Sequence, residues 1–210
     1  MKVGGMCVRL VAGSALALAL VAGVQCKHKG ESMQNPSAPN PANPVAVMET
    51  AEGSIKIELF ADKAPGTVKN FLQYVDEKFY DGTVFHRVIS NFMIQGGGFT
   101  PDMREKAAHA PIRNEATAEL KNLRGTLAMA RTSDVDSATA QFFINVKDNG
   151  FLDHKDSTAR GFGYAVFGRV IEGMDVVERI KEVKTTTAGS FQDVPAKPVL
   201  IRSVRRQEAP

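Results

Sequence analysis

From Val45 onward the chain alternates short β-type runs with turns, and only two segments carry a helical period. The strand-like runs are Val45–Thr50, Ile55–Phe60, Thr83–Val88, Phe92–Gln95, Gly125–Ala130, Gln141–Val146, Ala165–Ile171 and Val199–Val204. Glu52-Gly53 between the first two is a hairpin signal. Pro65, followed by Val68, Phe71, Leu72 and Val75 at helical spacing, marks a helix over about 64–77. Val176, Val177 and Ile180 give a partial apolar face to a second, over Met174–Ile180. There is no βαβ rhythm, and a sheet with open edges invites pairing with other chains. The expected fold is therefore mainly β: a closed antiparallel eight-stranded barrel with two helices.

The residues before Val45 divide into a head and a spacer. Lys2 and Arg9 precede Leu10–Val24, a run of Leu, Val, Ala, Gly and Ser. Its length is that of a secretory h-region and short of the ~20 residues a membrane-spanning helix needs. Cys26 follows directly, a placement that resembles a bacterial lipoprotein signal, in which the thiol is lipidated and becomes the first mature residue. Gly23 and Gln25 depart from that pattern, which has Leu three residues before the cysteine and a small residue just before it. Simple cleavage after Gly23 and an uncleaved anchor stay open as alternatives. Residues 27–44 contain Pro36, Pro39, Pro41 and Pro44 among Ser, Asn, Ala and Gln, with no apolar period, and read as a flexible tether. In extended polyproline geometry it reaches up to roughly 60 Å. The expected organisation is a signal over 1–26, a tether over 27–44 and one folded domain over 45–206, exported to the periplasm or cell envelope and held at a membrane through Cys26.

Charge and cysteine usage narrow the function classes. Lys2 and Arg9 supply two of the 26 basic residues, and all 23 acidic ones lie after Cys26, so the rest of the chain carries 24 against 23. So even a balance predicts neither nucleic-acid binding nor electrostatic adhesion to a membrane. Both cysteines, Cys7 and Cys26, lie in the head, so the domain has no disulfide, thiolate metal site or cysteine nucleophile. His86, His109 and His154 are scattered singly, without the spacing of metal ligands, and no metal or cofactor is expected. His86 reads as a structural histidine, and Gly96–Gly98, with no Lys-Ser/Thr helix start after it, is not a phosphate loop.

The run from Phe85 to Gly97 carries the chemistry. Arg87 stands a few residues ahead of two large apolar side chains, Phe92 and Met93, and one amide, Gln95, with no acid or thiol placed with them. Such a set suits a pocket that grips an apolar ring beside a carbonyl without covalent chemistry. Alternation puts Gln141 and Phe143 on one face and Arg87 on the face of Phe85 rather than of His86. Phe92 and Met93 are adjacent, so both can serve one pocket only where the strand bends or ends.

Five blocks in order resemble the cyclophilin family of peptidyl-prolyl isomerases, in its bacterial branch. They are Ala64-Pro65 through Asn70-Phe71; Phe85–Ile89 with Phe92–Gly98; Gly125–Arg131; Ala140–Asn145; and Phe151-Leu152-Asp153 with Val166–Val170. The resemblance implies a cyclophilin-like barrel and a peptidyl-prolyl cis–trans isomerase that needs no cofactor. It implies Arg87 as the catalytic cation, with Gln95 holding it and the substrate backbone. It implies a proline-ring pocket of Phe92, Met93, Phe143 and Leu152, a groove bordered by Ala130, Arg131 and Gln141, and a rim closed by Phe151 and Tyr164. Phe151 stands where the best-known eukaryotic members carry Trp, Tyr164 where they carry His, and Arg131 where they carry Asn. Losing the indole N–H removes a rim donor, so cyclosporin is expected to bind weakly. The expected partners are proline-containing unfolded or nascent polypeptides, and the expected state is a monomer. The rival reading is a non-catalytic module that grips proline-containing segments in the same groove; an intact Arg87 favours the enzyme.

Overall fold

The structure, a computed structural model, describes residues 40–207. The signal over 1–26, Cys26 and the tether up to residue 39 lie outside the described residues.

Among the described residues ten strands and two α-helices follow one another as β1 (Val45–Thr50), β2 (Gly53–Leu59), α1 (Pro65–Asp76), β3 (Thr83–Ile89), β4 (Met93–Phe99), β5 (Thr126–Met129), β6 (Phe142–Asn145), β7 (Val166–Glu172), α2 (Met174–Lys181), β8 (Thr185–Ala188), β9 (Phe191–Pro195) and β10 (Val199–Arg206). Eight of them close a barrel in the order β1-β10-β3-β4-β6-β5-β7-β2. Every pairing is antiparallel, and β1 and β2 form the expected hairpin, with Thr50 opposite Gly53. Closure satisfies the backbone groups that an open sheet would leave at its edges. β8 and β9 form a separate two-stranded hairpin that the strand-like runs of the sequence do not include.

An aromatic cluster sits within the largely aliphatic core. Phe71 of α1 lies 5.2 Å from Tyr80, 5.8 Å from Phe142 and 5.3 Å from Phe167, all at or near zero exposure. Each such ring, fully buried, contributes on the order of 1.5–3 kcal/mol through the area removed from water. The helices belong to the same core: α1 contributes Val68, Phe71, Leu72, Tyr74 and Val75, and α2 contributes Val176, Val177 and Ile180. The start of α1 is capped from a distance. Pro65 occupies the first turn, where no amide is needed, and the Glu115 carboxylate accepts from Gly66 N at 3.1 Å, Thr67 N at 2.7 Å and Thr67 Oγ1 at 2.7 Å.

Residues 40–44, expected as the end of the tether, are bound to the barrel. Glu58, buried on β2, accepts from Asn40 N at 2.7 Å, Asn43 Nδ2 at 3.0 Å and Arg169 Nε at 2.9 Å. Leu59 N donates to the Pro44 carbonyl at 2.9 Å. Burial pushes the Glu58 carboxyl up, but the donors from Asn43, Asn40 and Arg169 outweigh it and hold the group below its usual range. A buried carboxylate with three donors fixes where the chain joins the barrel, which prolines alone do not reveal.

Candidate active site

The site is built on the β3–β4 hairpin and its neighbours β6 and β5. Arg87 on β3 and Gln95 on β4 are cross-strand partners, and Gln95 in turn pairs with Phe143 on β6. Phe92 lies in the turn between β3 and β4, where its amide donates to the Ile89 carbonyl at 3.0 Å, and β4 begins at Met93. The strand therefore begins where Phe92 and Met93 need it to, and both reach one pocket.

The expected face of Arg87 is not the observed one. In the β3–β4 register Phe85 opposes Gly96 and Arg87 opposes Gln95, so two residues of β3 span one of β4. His86 is the extra residue of this bulge, and it breaks the alternation. Phe85 and Val88 both enter the barrel core, whereas Arg87 leaves it and lines the cavity.

All the residues singled out for the site except Gln141 line one cavity of about 270 Å³: Arg87, Phe92, Met93, Gln95, Ala130, Arg131, Phe143, Phe151, Leu152 and Tyr164. Phe143 and Met93 form its buried floor together with Leu152. Phe92 and Phe151 stack with centroids 5.4 Å apart, and Phe143 meets Tyr164 edge-on at 5.7 Å. Phe151, on a single 3-10 turn over Gly150–Leu152, is 64% exposed, a large apolar side chain left open at the rim. A second cavity of about 200 Å³ adjoins the first and shares Gln95, Ala130 and Arg131 with it. Glu105, Thr132, Ser137, Thr139 and Gln141 complete its more polar wall.

Gly97 and Gly98 allow this close packing. A Cβ on Gly98 would lie 2.5 Å from Gln141 Cγ, and one on Gly97, at φ +84°, would lie 2.7 Å from the Phe142 ring. The glycine run thus seats Gln141 against β4.

Three polar arrangements differ from expectation or were not foreseen. Gln95, assigned by the resemblance to holding Arg87, donates instead from Nε2 to Gln141 Oε1 at 3.1 Å, and Gln141 donates on to Glu105. The amides form a pair beside the cation. Arg131 borders both cavities, yet its donors are used internally. Nε reaches the Gly163 carbonyl at 3.0 Å, Nη1 that of Thr132 at 2.9 Å and Nη2 that of Ala159 at 3.1 Å, while the guanidinium lies 4.8 Å over the Tyr164 ring. It clamps the loop that carries Tyr164.

The third arrangement is a buried asparagine chain behind the wall. Asn149 Nδ2 donates to the Phe92 carbonyl and to Asn145 Oδ1, each at 2.8 Å. Asn145 Nδ2 donates to Thr126 Oγ1 at 2.9 Å and to Asn122 Oδ1 at 3.2 Å, and Asn122 N donates to Asp153 Oδ1 at 2.7 Å. Asn145 ends β6, inside the strand-like run Gln141–Val146, and Asn149 follows four residues later. Their polarity next to the apolar run Phe142-Phe143-Ile144 is the one signal that could have drawn notice.

His86 is buried against Phe99, with ring centroids 4.6 Å apart. Burial pushes its imidazole down to about 4, and the neighbouring Arg87 charge acts in the same direction, so the ring is neutral at physiological pH. Among the described residues no cluster of His, Cys, Asp and Glu could hold a metal ion.

The chain resembles known proteins along nearly all of this described region. A family profile for cyclophilin type peptidyl-prolyl cis-trans isomerase/CLD matches residues 45–206. The peptidyl-prolyl cis-trans isomerase cyp18 of Streptomyces antibioticus is 61% identical over 158 residues, covering 75% of this chain and 95% of the relative. Peptidyl-prolyl cis-trans isomerase B of Escherichia coli is 57% identical over 164 residues, covering 78% and 100%. Among solved structures, a cyclophilin type peptidyl-prolyl cis-trans isomerase of Cryptosporidium parvum superposes with a TM-score of 0.69 at 26% identity, covering 80% of this chain and 99% of that one.

Proposed function

Because the chain belongs to the cyclophilin-type peptidyl-prolyl cis–trans isomerases and is such an isomerase, we propose that it turns X–Pro bonds over the Arg87 cavity, in unfolded or newly exported polypeptides. The single observation that carries this reading is the composition of the 270 Å³ cavity: the Arg87 cation and the Gln95 amide beside a floor of Met93, Phe143 and Leu152, with Phe92 at its edge.

Rotation about an X–Pro bond faces a barrier of ~18–20 kcal/mol that comes from amide resonance. Bringing an exchange of tens to hundreds of seconds to milliseconds requires roughly 6–7 kcal/mol of differential stabilisation. No bond to another atom is made, so no nucleophile is needed; the site has only to bind the twisted amide better than the planar one. The apolar floor takes the proline ring. The Arg87 guanidinium, a rigid fork of donors, engages the prolyl region so that the nitrogen lone pair leaves resonance. One charge-assisted hydrogen bond supplies about 1.5–3 kcal/mol. Exclusion of water and the hold on the chain at either side supply the rest. The Gln95–Gln141 pair offers the substrate backbone an amide edge, and the adjoining cavity takes neighbouring side chains.

The protein should accelerate refolding of a substrate protein whose slow phase is proline-limited, and should do so catalytically, at enzyme concentrations well below substrate. Acceleration only at stoichiometric amounts would favour a binder over an enzyme on this substrate class.

Export and tethering are part of the same reading. They are supported by the basic start, the apolar run Leu10–Val24, Cys26 and the proline-rich spacer. Cys26→Ser should move the protein from the membrane to the soluble envelope fraction, and the wild-type mature N-terminus should carry the mass of a lipidated cysteine. A wild-type protein already soluble, with an unmodified N-terminus, would contradict the anchor.

A further inference from the structure

The β8–β9 hairpin lies outside the barrel and brings one charged group to the site. β9 packs beside β3. Phe191 on the hairpin meets Phe99 edge-on at 5.2 Å, and Phe99 packs on His86, the residue next to Arg87. Within the hairpin Thr186 opposes Val194 and Ala188 opposes Phe191, so Thr187 alone faces two residues, Gln192 and Asp193. This is a β-bulge, a device that re-aims a side chain. Asp193 adopts φ +58°, the left-handed conformation that few residues other than glycine take without cost. Its Oδ2 lies 3.7 Å from Arg87 Nε.

The Arg87 side chain has no other charged partner and no hydrogen bond among the described residues. Asp193 faces its Nε as an ion-pair partner, and both terminal Nη groups stay unbonded beside the cavity. A long, half-exposed side chain on which the chemistry depends would otherwise sample many rotamers, and every rotamer away from the prolyl region is unproductive. We propose that Asp193 is a positioning residue, whose bulge and left-handed backbone aim its carboxylate at Arg87 Nε so that the guanidinium presents its Nη edge to the substrate. This rests on the assignment of Arg87 as the catalytic cation.

The test measures kcat and KM separately in the full chain for wild type, Asp193→Asn, Asp193→Gly, Arg87→Ala and Arg87→Ala/Asp193→Asn. Asparagine keeps the shape and tolerates the left-handed conformation; glycine relieves its cost. Both single Asp193 variants should lower kcat about three- to fivefold, the scale of a partly exposed ion pair, with KM little changed. Asp193→Gly should lose activity while melting no lower than wild type, which a merely structural role would not produce. In the Arg87→Ala background Asp193→Asn should cost nothing further. Wild-type kcat in both Asp193 variants beside a crippled Arg87→Ala would overturn this inference alone. An active Arg87→Ala would overturn the assignment of Arg87, and the inference with it.

Discussion

Asn149 Nδ2 bonds the carbonyl oxygen of Phe92 at 2.8 Å, and so one buried side chain ties together the two sides of the cavity rim. Phe92 belongs to the β3–β4 turn, and Asn149 immediately precedes the 3-10 turn that presents Phe151 and Leu152. The stack of Phe92 on Phe151 therefore rests on a hydrogen bond behind it as well as on ring contact.

Asn149→Ala leaves buried Asn145 Oδ1 without this donor, whereas the Phe92 carbonyl keeps Val146 N at 3.2 Å. The one orphaned group costs about 1–3 kcal/mol. The variant should lose stability of that order in urea unfolding. Exchange protection of the Asn149 to Leu152 amides should fall further than that of the barrel core.

Arg131 binds three backbone carbonyls, so its loss should be felt in the loop rather than in direct substrate contact. Arg131→Ala should raise hydrogen exchange over residues 154–164 and weaken peptide binding a few-fold through displacement of Tyr164. Arg131→Lys should rescue little, because a point charge cannot reach three carbonyls in different directions. Full rescue by lysine would mean that charge alone matters there.

The rim offers Phe151 without an indole N–H, and weak cyclosporin binding is the outcome expected from the missing donor. Phe151→Trp should tighten cyclosporin binding about tenfold, near the worth of one net hydrogen bond, while isomerase activity changes little. Nanomolar inhibition of the wild type in the isomerisation assay would contradict this account.

His86 makes the fold acid-sensitive in a window of its own. Its native imidazole is held at about 4, below the ordinary value of 6.5, so the unfolded chain binds a proton that the native state refuses. The contribution of His86 is complete above pH 6.5 and is lost as pH falls towards 4, on the order of 3 kcal/mol in all. The carboxylates held low by partners, Glu58 and Asp81 among them, begin to add their loss as pH falls through their ordinary values of 4.5 and 3.8. Asp81 is lowered chiefly by its hydrogen bonds from Arg205. In His86→Phe, the decline in urea midpoint between pH 6.5 and 4 should flatten, whereas the steeper fall below it should persist.

The barrel was legible because its strands carry apolar alternation or short buried runs, and α1 because Pro65 and its apolar spacing agree. β8 and β9 were not, for Thr185, Thr186 and Thr187 are exposed and Phe191 stands on the surface, so no period-2 contrast marks the hairpin. Asp193 was hidden for the same reason. The residues of the cavity could be named from the ordered blocks, yet their relations could not. The bulge at His86 shifts the face of Arg87, and the choice of Gln141 over Arg87 by Gln95 depends on a β4–β6 approach set by absent Cβ atoms. The Asn122–Asn145–Asn149 chain is a matter of burial, which asparagine in a sequence does not announce. The hold of Glu58 on Asn40 and Asn43 likewise appears only once β2 and β7 are side by side.

The most direct test of the account is the isomerisation rate of Arg87→Ala, read by exchange spectroscopy on an X–Pro peptide, with peptide affinity and thermal unfolding measured on the same sample. The cavity floor contains no part of Arg87, so affinity and stability should stay near wild type. The catalysed rate should fall at least about tenfold, the scale of one charge-assisted hydrogen bond to the twisted amide. A folded Arg87→Ala protein that binds the peptide and turns it over at the wild-type rate would contradict the assignment of catalysis to this cation.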